Sequence, residues 1–250
     1  MEYRLEKEWE FNYLSIYNYK KEGKLSPLID YIKKIPKDVR SNIAEFGVYK
    51  GSQSLGIALL LKEIGLDCKV HGFDSFSGFP PIFSFYDDLK RFEDLFFDKK
   101  ITEEHFNDIL KLQQYKFFFD KIEPSTQNLS TSGDFSDSNY ELIKKKINFF
   151  NLDNVILHPG VFSQTLGSKV DSLEYVAAII DCDLHDSYKI SLEYIWPRLV
   201  SGGLLYLDEY YSLKYPGAKI CVDNFLEDKN YELTLFQSDT NFPRCYVKKN

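Results

Sequence analysis

Residues 42–65 read NIAEFGVYKGSQSLGIALLLKEIG. The stretch changes character twice. Asn42–Phe46 is a short apolar run, the next six residues, GVYKGS, hold two glycines, and QSLGIALLLKEIG repeats its apolar positions at helical spacing until Gly65. A strand, a turn and a helix are therefore expected, and CKVHGF follows as a second strand that ends in Asp74.

The same alternation continues along the chain. NVILH (154–158), VAAII (176–180) and LLYL (204–207) read as further strands. Ser138-Asn139-Tyr140-Glu141 has the spacing of a capping box and opens a helix to about Phe150. Asp186-Ser187 are expected to cap a helix through Trp196 that Gly202-Gly203 terminate, and another helix is expected near Ala218–Leu226. YELTLF and RCYVKK close the chain, joined by a short polar link without a helix, so they add an antiparallel hairpin.

Strands alternating with helices imply right-handed crossovers. The expected fold is α/β, a doubly wound and mostly parallel sheet with an antiparallel C-terminal hairpin. One domain spans residues 1–250, with a helical N-terminal extension over 1–40 punctuated by Pro27 and Pro36. Residues 81–136 form an aromatic-rich helical insertion, placed to act as a lid, although aromatics at helical spacing more often pack a core or a dimer contact.

Composition narrows the function. A balance of 31 basic and 38 acidic residues gives −7, against a general nucleic-acid surface. Cys68, Cys182, Cys221 and Cys245 form no C-x-x-C pair, so neither a disulfide framework nor a zinc site is expected. No apolar run is long enough to span a bilayer, and the charged N-terminus lacks a signal-peptide core. The expected setting is cytoplasmic.

Two clusters carry the chemistry. Asp181 ends VAAII, and Asp208-Glu209 end LLYL. In a strand–helix–strand crossover those ends share one sheet edge, and if the two strands are neighbours three carboxylates converge where such sheets bind ligands. An all-oxygen set suits Mg²⁺ or Mn²⁺; Asp183 and Asp186, taken singly, read as a loop residue and a helix cap. The second cluster is Glu45-Phe-Gly47-Val-Tyr-Lys-Gly51-Ser52, in which glycines let a ligand approach the backbone at a helix N-terminus. It is not G-x-G-x-x-G. Glu45 suits an amino or hydroxyl group, and Asp74 stands where an acidic side chain takes ribose hydroxyls.

Taken with GFDSFSGFP (72–80), Asp181-Cys-Asp183-Leu and Asp208-Glu209-Tyr210, the chain from about Asn42 to Leu226 resembles the macrocin O-methyltransferase family, metal-dependent sugar O-methyltransferases that use S-adenosylmethionine. The resemblance implies a Rossmann-like class I methyltransferase fold. It implies that Glu45, Gly47, Gly51 and Ser52 hold the methionine end of the cofactor, that Asp74 with Ser75 meets the ribose, and that Gly160 and Phe162 lie near the adenine. Asp181, Asp208 and Glu209 would ligate Mg²⁺. The sequence departs from the family in Glu209, where an Asp is usual, in His185, where a Tyr is usual, and in Tyr188, where a Thr is usual.

Asp181 is the first candidate base and His185 the second, since an imidazole titrates near neutrality. His71 and His158 read as structural, and His105 could reach an acceptor from the insertion. The acceptor is a small molecule or glycan, without nucleic acid, and a homo-dimer or higher homo-oligomer is expected. Two rivals stand beside this reading: an Asp-x-Asp glycosyltransferase, which leaves Glu45–Gly51 and Asp74 idle, and a non-catalytic S-adenosylmethionine-binding protein. Tyr210-x-x-x-Lys214 has the spacing of a short-chain dehydrogenase pair, but the glycine pattern of that family is missing.

Overall fold

The computed structural model describes residues 4–166, 172–238 and 243–250. Helices α1 (Glu8–Leu14) and α2 (Ser26–Lys33) precede β1 (Ser41–Phe46), α3 (Ser52–Ile64) and β2 (Cys68–Asp74). The insertion holds α4 (Arg91–Phe97), α5 (Glu103–Tyr115) and a π-helical turn at Lys116–Asp120. Then come α6 (Tyr140–Phe150), β3 (Val155–Pro159), α7 (Phe162–Thr165), β4 (Tyr175–Ile180), α8 (His185–Ile195), β5 (Leu199–Leu207), α9 (Pro216–Leu226), β6 (Tyr231–Gln237) and β7 (Pro243–Lys249).

The sheet runs β3-β2-β1-β4-β5-β7-β6. The first five strands are parallel, and β7 lies antiparallel between β5 and β6. Every residue of β4 is buried, as expected when helices cover both faces of a parallel sheet. The two-residue strand period sorts its side chains: Ala177 and Ile179 pack with α2 and α3, while Ala178 and Ile180 pack with α8 and α9. The doubly wound fold with an antiparallel C-terminal pair is as read from the sequence; the link at 239–242 lies outside the described residues.

Three local expectations need correction. The cap of α6 is Asn139, whose side chain accepts the Leu142 N–H, while Ser138 donates instead to the Tyr49 carbonyl. Helix α8 begins at His185, so Asp186 sits inside its first turn rather than at the cap. Gly202-Gly203 lie within β5, where Gly203 has no room for a Cβ against Leu199 and Val200; the helix gives way earlier, at the Trp196–Arg198 turn.

The insertion has a small core of its own, Phe92, Leu95, Ile101 and Ile109, against Leu213 and Ile220 of the main body. Asp87 ties the insertion to the main body, its carboxylate accepting the His185 N–H at the start of α8. Phe97, Phe118 and Phe119 stay exposed. No helix among the described residues is long and apolar enough to cross a membrane.

Candidate active site

Strand order reverses between β1 and β4, and open α/β sheets bind ligands in the crevice at such a switch point. A cavity of about 640 Å³ opens there. The turn after β1, the first residues of α3, Asp74-Ser75, Phe162 and the ends of β4 and β5 line it. Tyr17 and Lys24 reach it from the N-terminal segment, and Phe79, Pro80 and Phe135 from the insertion side.

The turn after β1 is set by its backbone. Gly47 has φ +93°, and a Cβ there would lie 1.8 Å from the Asp181 carbonyl oxygen, so only glycine lets β1 and β4 approach so closely at their ends. Gly51 has φ +79° and turns toward Ile143 of α6 rather than into the cavity. Both glycines shape the turn; Gly47 also lines the cavity, as a ligand-approach role requires, and Gly51 does not. Ser52 and Gln53 present the start of α3 to the cavity. Asp74 ties the turn to the loop after β2: its carboxylate accepts the Tyr49 N–H at 2.8 Å and the Phe76 N–H at 2.6 Å. Ser75 lines the same wall and donates to the Gly78 carbonyl.

Glu45 lies beneath this turn, fully buried. Ser54 donates to one carboxylate oxygen and nothing reaches the other. Burial pushes the carboxyl up to about 8, with the Ser54 hydrogen bond opposing. Phe162 stacks edge-on against Phe46 and faces the cavity; Gly160, at φ +136°, instead braces the chain by donating its N–H to the Asp74 carbonyl at 2.9 Å.

The second wall is a rim of carboxylates. Register pairs Ile180 with Leu207, so Asp181 and Asp208 end adjacent strands side by side, and Asp208 N–H donates to the Ile180 carbonyl at 3.0 Å. Oxygens of Asp181, Asp208 and Glu209 all lie within 4.8 Å of one another. Gln53 donates to Asp181, and Tyr188 donates to Glu209 at 2.7 Å while accepting its backbone N–H at 3.0 Å. Arg244 holds Asp208 through both its carbonyl (2.9 Å) and its carboxylate (3.0 Å), and Lys24 reaches the other Asp208 oxygen at 3.0 Å.

Charge is unbalanced at this rim. Burial raises the carboxyls of Asp181, Asp183 and Glu209, and mutual repulsion raises them further. Burial raises Asp208 as well, but Lys24 and Arg244 outweigh it and leave that group below the usual carboxylate range. The contacting cations thus satisfy one carboxylate and leave the others short of positive charge.

Several residues stand apart from their expected places. His185 does not line the cavity: it is buried, stacks on Tyr86 of the insertion at 4.4 Å and pairs its Nδ1 with Asp186 at 2.8 Å. Its backbone N–H donates to Asp87 at 2.8 Å, so the insertion supplies the N-terminal cap that α8 lacks locally. His105 packs against Tyr211 of the main body rather than reaching an acceptor. His71 and His158 hydrogen-bond each other at 3.0 Å, a structural pair. Tyr210 donates to Asp223 at 2.7 Å, which leaves the Tyr-x-x-x-Lys spacing without chemistry.

Sequence reasoning passed over Lys24, Gln53 and Arg244, which come from distant segments and carry no local motif. It read Asp183 as a loop residue, yet Asp183 is buried, left-handed at φ +62°, and lines the cavity.

Residues 126–243 match the family model of macrocin-O-methyltransferase (TylF). Over that segment, a little under half of the chain, the sequence is similar to the macrocin O-methyltransferases. The matched segment holds the carboxylate rim and not the turn after β1. Among solved structures, the O-methyltransferase NovP superposes with TM-score 0.59 at 18% identity, over 88% of this chain and 76% of that one. The calicheamicin methyltransferase CalS11 does so with TM-score 0.59 at 18% identity, over 97% and 80%. A further structure of CalS11, described as the apo form of a TDP-rhamnose 3'-O-methyltransferase, gives TM-score 0.51 at 18% identity over 97% and 81%. At these identities the likeness is one of fold. No curated protein matches the sequence significantly.

Proposed function

We propose that this chain belongs to the macrocin O-methyltransferase family and transfers a methyl group from S-adenosylmethionine to a sugar hydroxyl with the help of a divalent cation, Mg²⁺ or Mn²⁺. One observation carries the reading: the β1 turn and the carboxylate rim face each other across a single cavity at the sheet's switch point.

The donor side fits S-adenosylmethionine. The orphaned oxygen of Glu45 is an acceptor that an ammonium would satisfy. Asp74, Ser75 and Phe162 line the wall where ribose and adenine would lie. The rim fits a divalent cation, since its donors are largely buried carboxylate oxygens that outnumber the cations beside them. Such an ion makes a bound hydroxyl more acidic.

The chain's own residues do the positioning. Gln53 fixes Asp181, Tyr188 fixes Glu209, and Arg244 fixes Asp208, so the three carboxylates are held in place. Asp181 is thereby engaged as a ligand, and Asp183 lines the cavity one residue beyond Cys182. We assign to Asp183 the removal of the acceptor proton; its raised carboxyl suits a base better than an ordinary aspartate does. Phe79, Pro80 and Phe135 supply the apolar wall on which a sugar ring stacks. CalS11 is named for a nucleotide-sugar acceptor, which makes nucleotide-linked sugars the first pool to try.

The test is calorimetric titration of S-adenosylmethionine into chelator-stripped protein, followed by assay of methyl transfer to nucleotide sugars with and without Mg²⁺. Donor binding with Mg²⁺-dependent transfer supports the reading. Absence of donor binding, with Mn²⁺-dependent uptake of a nucleotide sugar, favours a glycosyltransferase instead.

A further inference from the structure

Lys24 belongs to the loop between α1 and α2, far in sequence from the residues it touches. Its ammonium lies 3.0 Å from Asp208 Oδ1 and 3.4 Å from Asp181 Oδ2, bridging the ends of β4 and β5. The loop that delivers it is fixed on three sides. Leu25 N–H donates to the Tyr17 hydroxyl at 3.0 Å, Gly23 N–H to Ser26 Oγ at 2.8 Å, and Tyr17 N–H to the Ser52 carbonyl at 2.9 Å. The lysine is thus placed, with about a quarter of its side chain exposed.

An ammonium and a divalent cation make different demands on the same oxygens. The ammonium donates hydrogen bonds at near 3 Å, whereas Mg²⁺ draws oxygens to about 2.0–2.1 Å in an octahedral shell. An ion bound to both Asp181 and Asp208 needs the space between them, and that is where the Lys24 ammonium sits. Both carry positive charge, so the two repel at close range.

We propose that Lys24 is a tethered counter-ion of the metal-free rim, which keeps the carboxylates together until a divalent cation arrives and then yields its place. The proposal rests on the metal reading above. Divalent affinity is then set lower than the bare rim would give, and by linkage metal binding loosens the lysine's seat. The N-terminal segment, outside the matched family region, becomes a regulator of metal uptake.

The experiment titrates Mn²⁺ into the full, chelator-stripped chain and into Lys24→Met, by calorimetry, with melting temperatures recorded in parallel. The variant is expected to bind Mn²⁺ at least tenfold more tightly and to show the larger Mn²⁺-induced rise in melting temperature. Equal or weaker binding by the variant, with wild type binding normally, overturns the proposal and leaves the metal reading standing. Failure of both proteins to take up Mn²⁺ overturns the metal reading, and the proposal with it. Should Lys24→Met not fold, amine labelling of wild-type Lys24, read by mass spectrometry, decides: faster labelling with Mn²⁺ supports displacement, and an unchanged rate overturns it.

Discussion

The two walls of the cavity are built on different principles. The turn after β1 is fixed by backbone: Gly47 lies against the Asp181 carbonyl, and both oxygens of Asp74 accept backbone N–H groups. The rim at the ends of β4 and β5 is made of side chains whose charges repel, held by Gln53, Tyr188, Lys24 and Arg244. One wall takes its shape from the backbone, with the orphaned oxygen of Glu45 beneath it. The other is short of positive charge at Asp181, Asp183 and Glu209. Substitutions in the first should therefore act on folding, and substitutions in the second on activity.

Asp181→Asn gives the largest separation of these effects. Methyl transfer should fall roughly 10²–10⁴-fold and Mn²⁺ uptake should be lost, while stability in urea moves by less than about 1 kcal/mol because a repelling charge has gone. A variant that unfolds but keeps its specific activity would reverse the comparison.

Gly47→Ala should do the opposite. The left-handed backbone and the clash with β4 predict a loss of roughly 2–4 kcal/mol in urea unfolding. Unchanged stability would mean that the turn is not fixed by its backbone.

Glu45 sharpens the comparison, since it is a buried titratable group within the backbone-built wall. Its carboxyl is raised from 4.5 to about 8, so across that window the folded protein keeps a proton that the unfolded chain releases. Stability therefore falls as pH rises through the window, by up to about 1.4 kcal/mol per pH unit. Glu45→Gln should flatten that slope in melting curves taken across it, while weakening S-adenosylmethionine binding. A slope unaltered by the change would remove Glu45 from the account.

Asp87→Ala has the smallest expected effect. It strips α8 of the cap supplied by the insertion and should lower stability by about 0.5–2 kcal/mol. If the insertion forms the acceptor wall proposed above, acceptor KM should rise more than donor Kd. An equal change in both would argue that Asp87 serves the main body alone.

Much of this was legible from local pattern. The alternation of strands and helices was enough to expect a parallel sheet, and the pairing of β4 with β5, which the sequence supplies only as a condition, brings Asp181 beside Asp208. The helix caps were less legible. The cap of α8 comes from Asp87, and no spacing rule joins residues so far apart. For the same reason Lys24 and Arg244 left no motif: a lysine before α2 and an arginine in β7 meet Asp208 only through the folded topology. His185 misled because its residue type fits a base, whereas its ring is taken up by Tyr86 and Asp186.

The central claim is that both walls serve one reaction. Its most direct measurement follows labelled methyl from S-adenosylmethionine into a panel of nucleotide sugars, with Mg²⁺ and again with excess chelator. The account predicts a methylated sugar with Mg²⁺ and none with chelator. Transfer undiminished by chelator would contradict it.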